Sequence, residues 1–207
     1  MTTIATKADY LYAIDMIIAQ ADEIIPTEIN RSTVSEWAEK NRVLKEGNYQ
    51  GPFSFDLTPY LIEIADALSA TSPVKEVAIM KGTRMGVTVG LHENWLGYTI
   101  DEDPAEMAYI TASDELAATQ MELRIDSLID NSGIGEKIGT KEKRANQKKT
   151  GDRTTRKTFP GGYLMGGGPR ASWIKRQFGF KKIATDEVDE FPADIDKNGD
   201  PVYLIRG

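Results

Sequence analysis

The chain has 207 residues, 40% of them apolar, with no cysteine, one histidine and a formal net charge of −7. That length can bury a substantial core in one domain, and the missing cysteines and single His92 exclude disulfides, thiolate or multi-histidine metal sites, and any Ser-His or Cys-His nucleophile that does not use His92. The acidic balance argues against a surface that coats nucleic acid all over, and the lack of a long apolar run or a charged-then-apolar start leads us to expect a soluble, intracellular protein without a membrane partner.

In chain order, residues 4–25 read as an amphipathic helix (Ile4, Tyr10, Leu11, Ile14, Ile17, Ile18) stopped at Pro26. Ser35 to Lys40 begins a second helix, and Gly47 to Pro52 is a turn-rich connector. Thr58-Pro59 predicts a third helix, with threonine as N-cap, proline in the first turn and Leu61, Ile62, Ile64, Ala65 and Leu68 following. Glu76-Val77-Ala78-Ile79-Met80 is short, apolar and β-branched, which predicts a central strand. A helix follows from Thr88 to about Ile100, carrying His92, then a strand over Glu106–Thr111 and a helix capped by Ser113 and running to about Ile129. This alternation predicts an α/β fold with a parallel sheet.

Residues 137–157 change character, with Lys137, Lys141, Lys143, Arg144, Lys148, Lys149, Arg153, Arg156 and Lys157 among few acids. Such a stretch reads either as a solvated loop or as a contact to a DNA backbone. A short strand at Gly162–Gly166 and a Gly-rich turn at 166–172 precede Lys181–Thr185, which ends in Asp186-Glu187-Val188-Asp189-Glu190. The final run, Pro201-Val202-Tyr203-Leu204-Ile205, breaks off at Gly207, as a fragment of a longer protein would.

Two segments carry the chemistry. Lys81-Gly82-Thr83-Arg84-Met85-Gly86-Val87-Thr88 lies between a predicted strand and a predicted helix, the setting in which backbone N–H groups cradle phosphate oxygens. It departs from the common G-x-x-x-x-G-K-[ST] pattern, because Val87 stands where lysine is usual while Lys81 and Arg84 supply the positive charge. An ordinary strand-to-helix turn remains an alternative. Asp186-Glu187 ends an apolar strand, the place for a Mg²⁺-side carboxylate and a water-orienting base in nucleotide hydrolysis. In a parallel sheet both segments lie at strand carboxyl ends, where ligands bind.

With these pieces in order, from about Ser35 onward the chain resembles the N-terminal ATPase region of the large terminase subunit of tailed phages, specifically the lambda-like packaging motors. Ser35-Glu36-Trp37-Ala38-Glu39, Tyr49-Gln50-Gly51-Pro52, Thr58-Pro59-Tyr60 and the 162–172 segment carry the likeness. The acidic Asp186 to Pro192 stretch, read with a phosphate-loop lysine at the front of the motif, is its most specific part. The resemblance implies a P-loop NTPase fold of the RecA-like kind, with residues 1–57 as a helical lead-in and 58–207 as a truncated ATPase core. It implies Mg-ATP bound by residues 81–88, with Lys81 neutralising phosphate charge, Arg84 sensing or stabilising the γ-phosphate, and Thr88 and Asp186 on the metal. Glu187 would be the base, with Glu190 as its replacement if the strand ends later, and Tyr49 either an adenine contact or a packed side chain. Double-stranded DNA, the small terminase subunit, the portal protein and sister copies in a ring would be its partners in the host cytoplasm. A helicase-like DNA-dependent ATPase, a non-catalytic docking module and a bare α/β domain are the alternatives.

Overall fold

The computed structural model describes residues 31–45, 47, 49–138, 154–175, 179–195, 197 and 199–206. All of the described residues except Arg31 belong to one compact unit, Ser32–Gly207. The expected 4–25 helix and residues 139–153 of the basic stretch lie outside the described residues.

Helix α1 (Val34–Asn41) starts in a capping box: Thr33 accepts from the Glu36 N–H at 3.3 Å, and the Glu36 carboxylate accepts from the Thr33 N–H at 2.9 Å. A two-residue hairpin follows, β1 (Val43–Leu44) against β2 (Gly51–Pro52). The helix expected from Thr58 is shorter and tighter than its pattern suggests. Pro59–Leu61 is a 3₁₀ turn, α2 proper spans Ile62–Ala67, and the Thr58 side chain makes no capping bond. Its apolar stripe still works, since Leu61 and Ala65 are buried and Ile64 and Leu68 pack on the core.

The strand expected at Glu76–Met80 does not form. Among the described residues it joins no strand ladder, and Met80 is fully exposed. A strand is held by its ladder rather than by its composition, so an apolar run without a neighbour stays irregular.

Beyond the loop, Thr88–Glu93 winds as a π-helical turn and continues as α3 (Asn94–Asp101). Strand β3 (Glu106–Ile110) leads to α4 (Asp114–Gln120), capped by the Ser113 hydroxyl, a second π-helical turn at Met121–Ile125, and α5 (Asp126–Asn131). A short helix, α6, spans Gly135–Ile138. Strands β4 (Arg156–Phe159), β5 (Gly162–Gly167) and β6 (Lys182–Thr185) complete a four-stranded sheet of order β4-β5-β3-β6. Strand β3 runs parallel to both β5 and β6, with Ile110 opposite Gly167 and Thr185.

The sheet is therefore mixed rather than wholly parallel. Only Pro160 and Gly161 separate β4 from β5, too few residues for a crossover, so β4 must return antiparallel. The core lies between this sheet and helices α1 to α5, with Trp37, Leu61, Leu91, Tyr98, Met107, Tyr109 and Met121 all buried. No described helix is long and apolar enough to cross a membrane.

Candidate functional site

The Lys81–Thr88 loop turns twice through left-handed backbone, at Arg84 (φ 60°) and Gly86 (φ 74°). Glycine meets the second requirement without strain, whereas arginine meets the first at the cost of about 1–2 kcal/mol, a kind of outlier that clusters at functional sites. Right-handed Val87 follows Gly86, an alternation that lines up successive N–H groups for an anion. The loop is braced from below, since Tyr60 donates to the Met85 carbonyl at 3.0 Å and Val87 is buried. A cleft of about 190 Å³ opens above it, lined by Lys81, by Arg84 through Val89, and by Arg124 from the second π-helical turn. This is below the usual range of about 300–1,000 Å³ for a whole drug-sized ligand.

Asp186 lies just beyond β6, its N–H bonded to the Ile110 carbonyl at 2.9 Å. Its carboxylate, 4% exposed, meets three side chains of the loop and the first π-helical turn. Lys81 Nζ lies 3.1 Å from Oδ1, Thr88 Oγ1 donates to Oδ2 at 2.8 Å, and His92 Nδ1 is 3.5 Å from Oδ2. The Glu187 N–H adds a fourth contact to Oδ1 at 3.0 Å. Burial would raise the Asp186 pKa, but the neighbouring His92 and the contacts from Thr88 and Lys81 outweigh it and hold the carboxyl well below the usual carboxylate range. Behind this cluster the Tyr109 phenol is pushed up, by burial first and then by the Asp186 charge, so it stays protonated and donates to Gln120.

The two chemical segments, 98 residues apart at Thr88 and Asp186, thus meet at bonding distance. Thr88 and Asp186 offer adjacent hard oxygens, and no cluster of three His, Cys, Asp or Glu exists among the described residues. That donor set fits Mg²⁺, which takes one or two protein oxygens and completes its shell with water and phosphate. Gly82 and Thr83 lie exposed on the loop. Arg84 is exposed, with no hydrogen bond or ion pair to its side chain among the described residues. Glu187 is exposed and left-handed (φ 57°), beyond the end of β6 at Thr185, and Glu190 follows on a 3₁₀ turn, Val188–Glu190. Tyr49 does not line the cleft; it is exposed, and its hydroxyl donates to the Pro52 carbonyl at 2.9 Å.

Three neighbours of the site carry no sequence motif. His92 follows Thr88 by four residues on one helical face, a spacing visible in the sequence. Glu93 and Arg124 are joined by an ion pair across two elements, which no spacing announces.

Against known proteins, the model of the phage terminase large subunit gpA ATPase domain family matches residues 47–207. No curated protein and no solved structure matches the chain significantly.

Proposed function

Because the chain belongs to the phage terminase large subunit gpA ATPase domain family, we propose that it binds Mg-ATP in the 81–88 cleft and hydrolyses it as part of a genome-packaging motor. The observation that carries this reading is the meeting of Lys81 and Thr88 on one buried, ionised carboxylate, Asp186. It is the arrangement expected of a P-loop fold, in which a loop hydroxyl and a strand-end carboxylate share a metal and a lysine serves the phosphates.

The residues act in the following roles. Backbone N–H groups from Gly82 to Thr88 and the Lys81 ammonium bind the phosphate chain. Arg84, exposed on its strained turn, contacts the γ-phosphate where charge builds in the transition state. Thr88 and Asp186 would hold Mg²⁺, which would supply positive charge against the phosphates. Glu187 accepts a hydrogen bond from the attacking water and orients it in line. As the water oxygen bonds to the γ-phosphorus, the bond to the β–γ bridging oxygen breaks, giving ADP and inorganic phosphate. In the intact motor this turnover moves duplex DNA through a ring of copies docked on the portal, with a small terminase subunit delivering the DNA.

Calorimetry with Mg-ATP tests the site. Lys81→Ala and Arg84→Ala are expected to weaken binding or, in the packaging holoenzyme, to abolish ATP turnover by a factor of about 10² or more. Parent-like binding and turnover in both variants would defeat the assignment. Absent binding by the parent chain would favour a docking module that keeps the fold.

A further inference from the structure

The cleft holds one cation that the loop does not supply. Arg124 projects into it from the π-helical turn Met121–Ile125, on the helix that follows β3, with a side chain 40% exposed. Its Nε is paired with Glu93 Oε1, and the other Glu93 oxygen is taken by Arg42. Arg42 is itself buried and pinned, donating to the Val89 carbonyl at 2.7 Å and to Asn94 Oδ1 at 2.5 Å. Glu93, 4% exposed at its side chain, is thus a carboxylate clamped between two guanidinium groups. One guanidinium is sealed in the core and the other faces the cleft.

The clamp is built from two rare backbone features. Glu93 ends the π-helical turn Thr88–Glu93, and Arg124 lies within the turn Met121–Ile125. Such turns are uncommon and recur at functional sites, because one extra residue in the turn re-aims the side chains around it. Here the result is an arginine whose Nε is committed to Glu93 and which lines a cleft that already contains Lys81 and Arg84. With Lys81 on Asp186, Arg124 on Glu93 and Arg84 exposed, three cations border one small concavity, a setting that suits an anion. A guanidinium held through one edge presents its remaining N–H groups to tetrahedral oxygens without losing further rotamer freedom.

We propose that Arg124 is a polyphosphate-binding residue of this site, and that Glu93 and Arg42 are the positioning residues that hold it. The inference rests on the nucleotide reading above and adds to it a cation from the helix after β3. Contact between Arg124 and phosphate then ties that helix to the occupied loop.

The test is calorimetric titration of the 207-residue chain with Mg-ATP for the parent, Lys81→Ala, Arg124→Ala and Arg124→Gln, alongside thermal unfolding of each. Glutamine keeps an N–H for Glu93 and removes the charge, so it guards against a folding defect in the alanine variant. Loss of a charge-assisted phosphate contact is expected to weaken binding about 10- to 100-fold in both Arg124 variants while the Arg124→Gln midpoint stays at the parent value. The slope of affinity against salt concentration should also flatten, which a purely structural residue would not cause. Parent affinity and parent salt slope in folded Arg124→Gln would overturn the inference. If Lys81→Ala loses binding at the same time, the nucleotide reading survives without it. A parent chain that binds no Mg-ATP overturns both.

Discussion

Asp186 is a nearly inaccessible carboxylate that remains charged because its surroundings donate to it. Its pKa is lowered in the folded state, so the folded chain releases this proton at a lower pH than the unfolded chain, whose value is about 3.9. The stabilisation is therefore fully present above that unfolded value and is lost as pH falls through the folded one. We expect the urea midpoint of the parent to decline from about pH 4 downward, with a shallower decline in Asp186→Asn, which has no proton to take up. Identical acid limbs in the two proteins would mean that Asp186 is not held ionised. At this scale Lys81, Thr88 and Asp186 were legible because each sits in a local pattern of strand end, loop or helix start. Glu93 and Arg124 were not, since their meeting joins two π-helical turns on separate elements, and a contact between elements shows in the periodicity of neither.

Helices were readable where cap and stripe agree. Ser113 before Asp114 satisfies an orphan N–H and its helix starts there, whereas the first helix starts at Val34, one residue ahead of the expected Ser35, because Thr33 and Glu36 close a capping box. Thr58-Pro59 carries the same letters without the bond, because Thr58 lies at φ −139° and ψ 54° and its backbone already closes the preceding 3₁₀ turn. What periodicity cannot show is how closely two helices approach. Helix α3 lies against the Trp37 indole at Gly97, where a Cβ would stand 2.2 Å from Cη2. The indole cannot swing aside freely, since its Nε1 donates to Asp101 Oδ2 at 2.8 Å. Gly97→Ala should therefore destabilise the fold by about 1–3 kcal/mol despite alanine's better helix propensity, as overpacking does. Urea unfolding measures this directly, and a neutral or stabilising result would show that α1 and α3 do not pack through this contact.

On the scale of the whole molecule, charge and pairing together decide what the sheet can be. Two members of the basic stretch are structural: Lys137 pairs with Asp101 at 2.6 Å, and buried Lys157 pairs with Asp126 at 2.9 Å. At these two described positions the cations of the run serve ion pairs within the fold. Strand β3 is flanked on both sides, and Met107 to Ile110 are no more than 1% exposed, so its amides open only when most of the fold does. Residues 76–80 have a better strand composition than β4 yet no ladder, and Lys81 at their end is anchored through its side chain to Asp186 rather than through the backbone. Composition made that segment look like a strand, yet among the described residues it joins no ladder. Hydrogen exchange separates the two influences. With a global stability of at least about 5 kcal/mol, amides of Met107–Ile110 should exchange about 10³-fold or more slowly than those of Val77–Met80. Comparable protection in both segments would mean that residues 76–80 are paired in solution, and the sheet would then extend to the loop that carries Lys81.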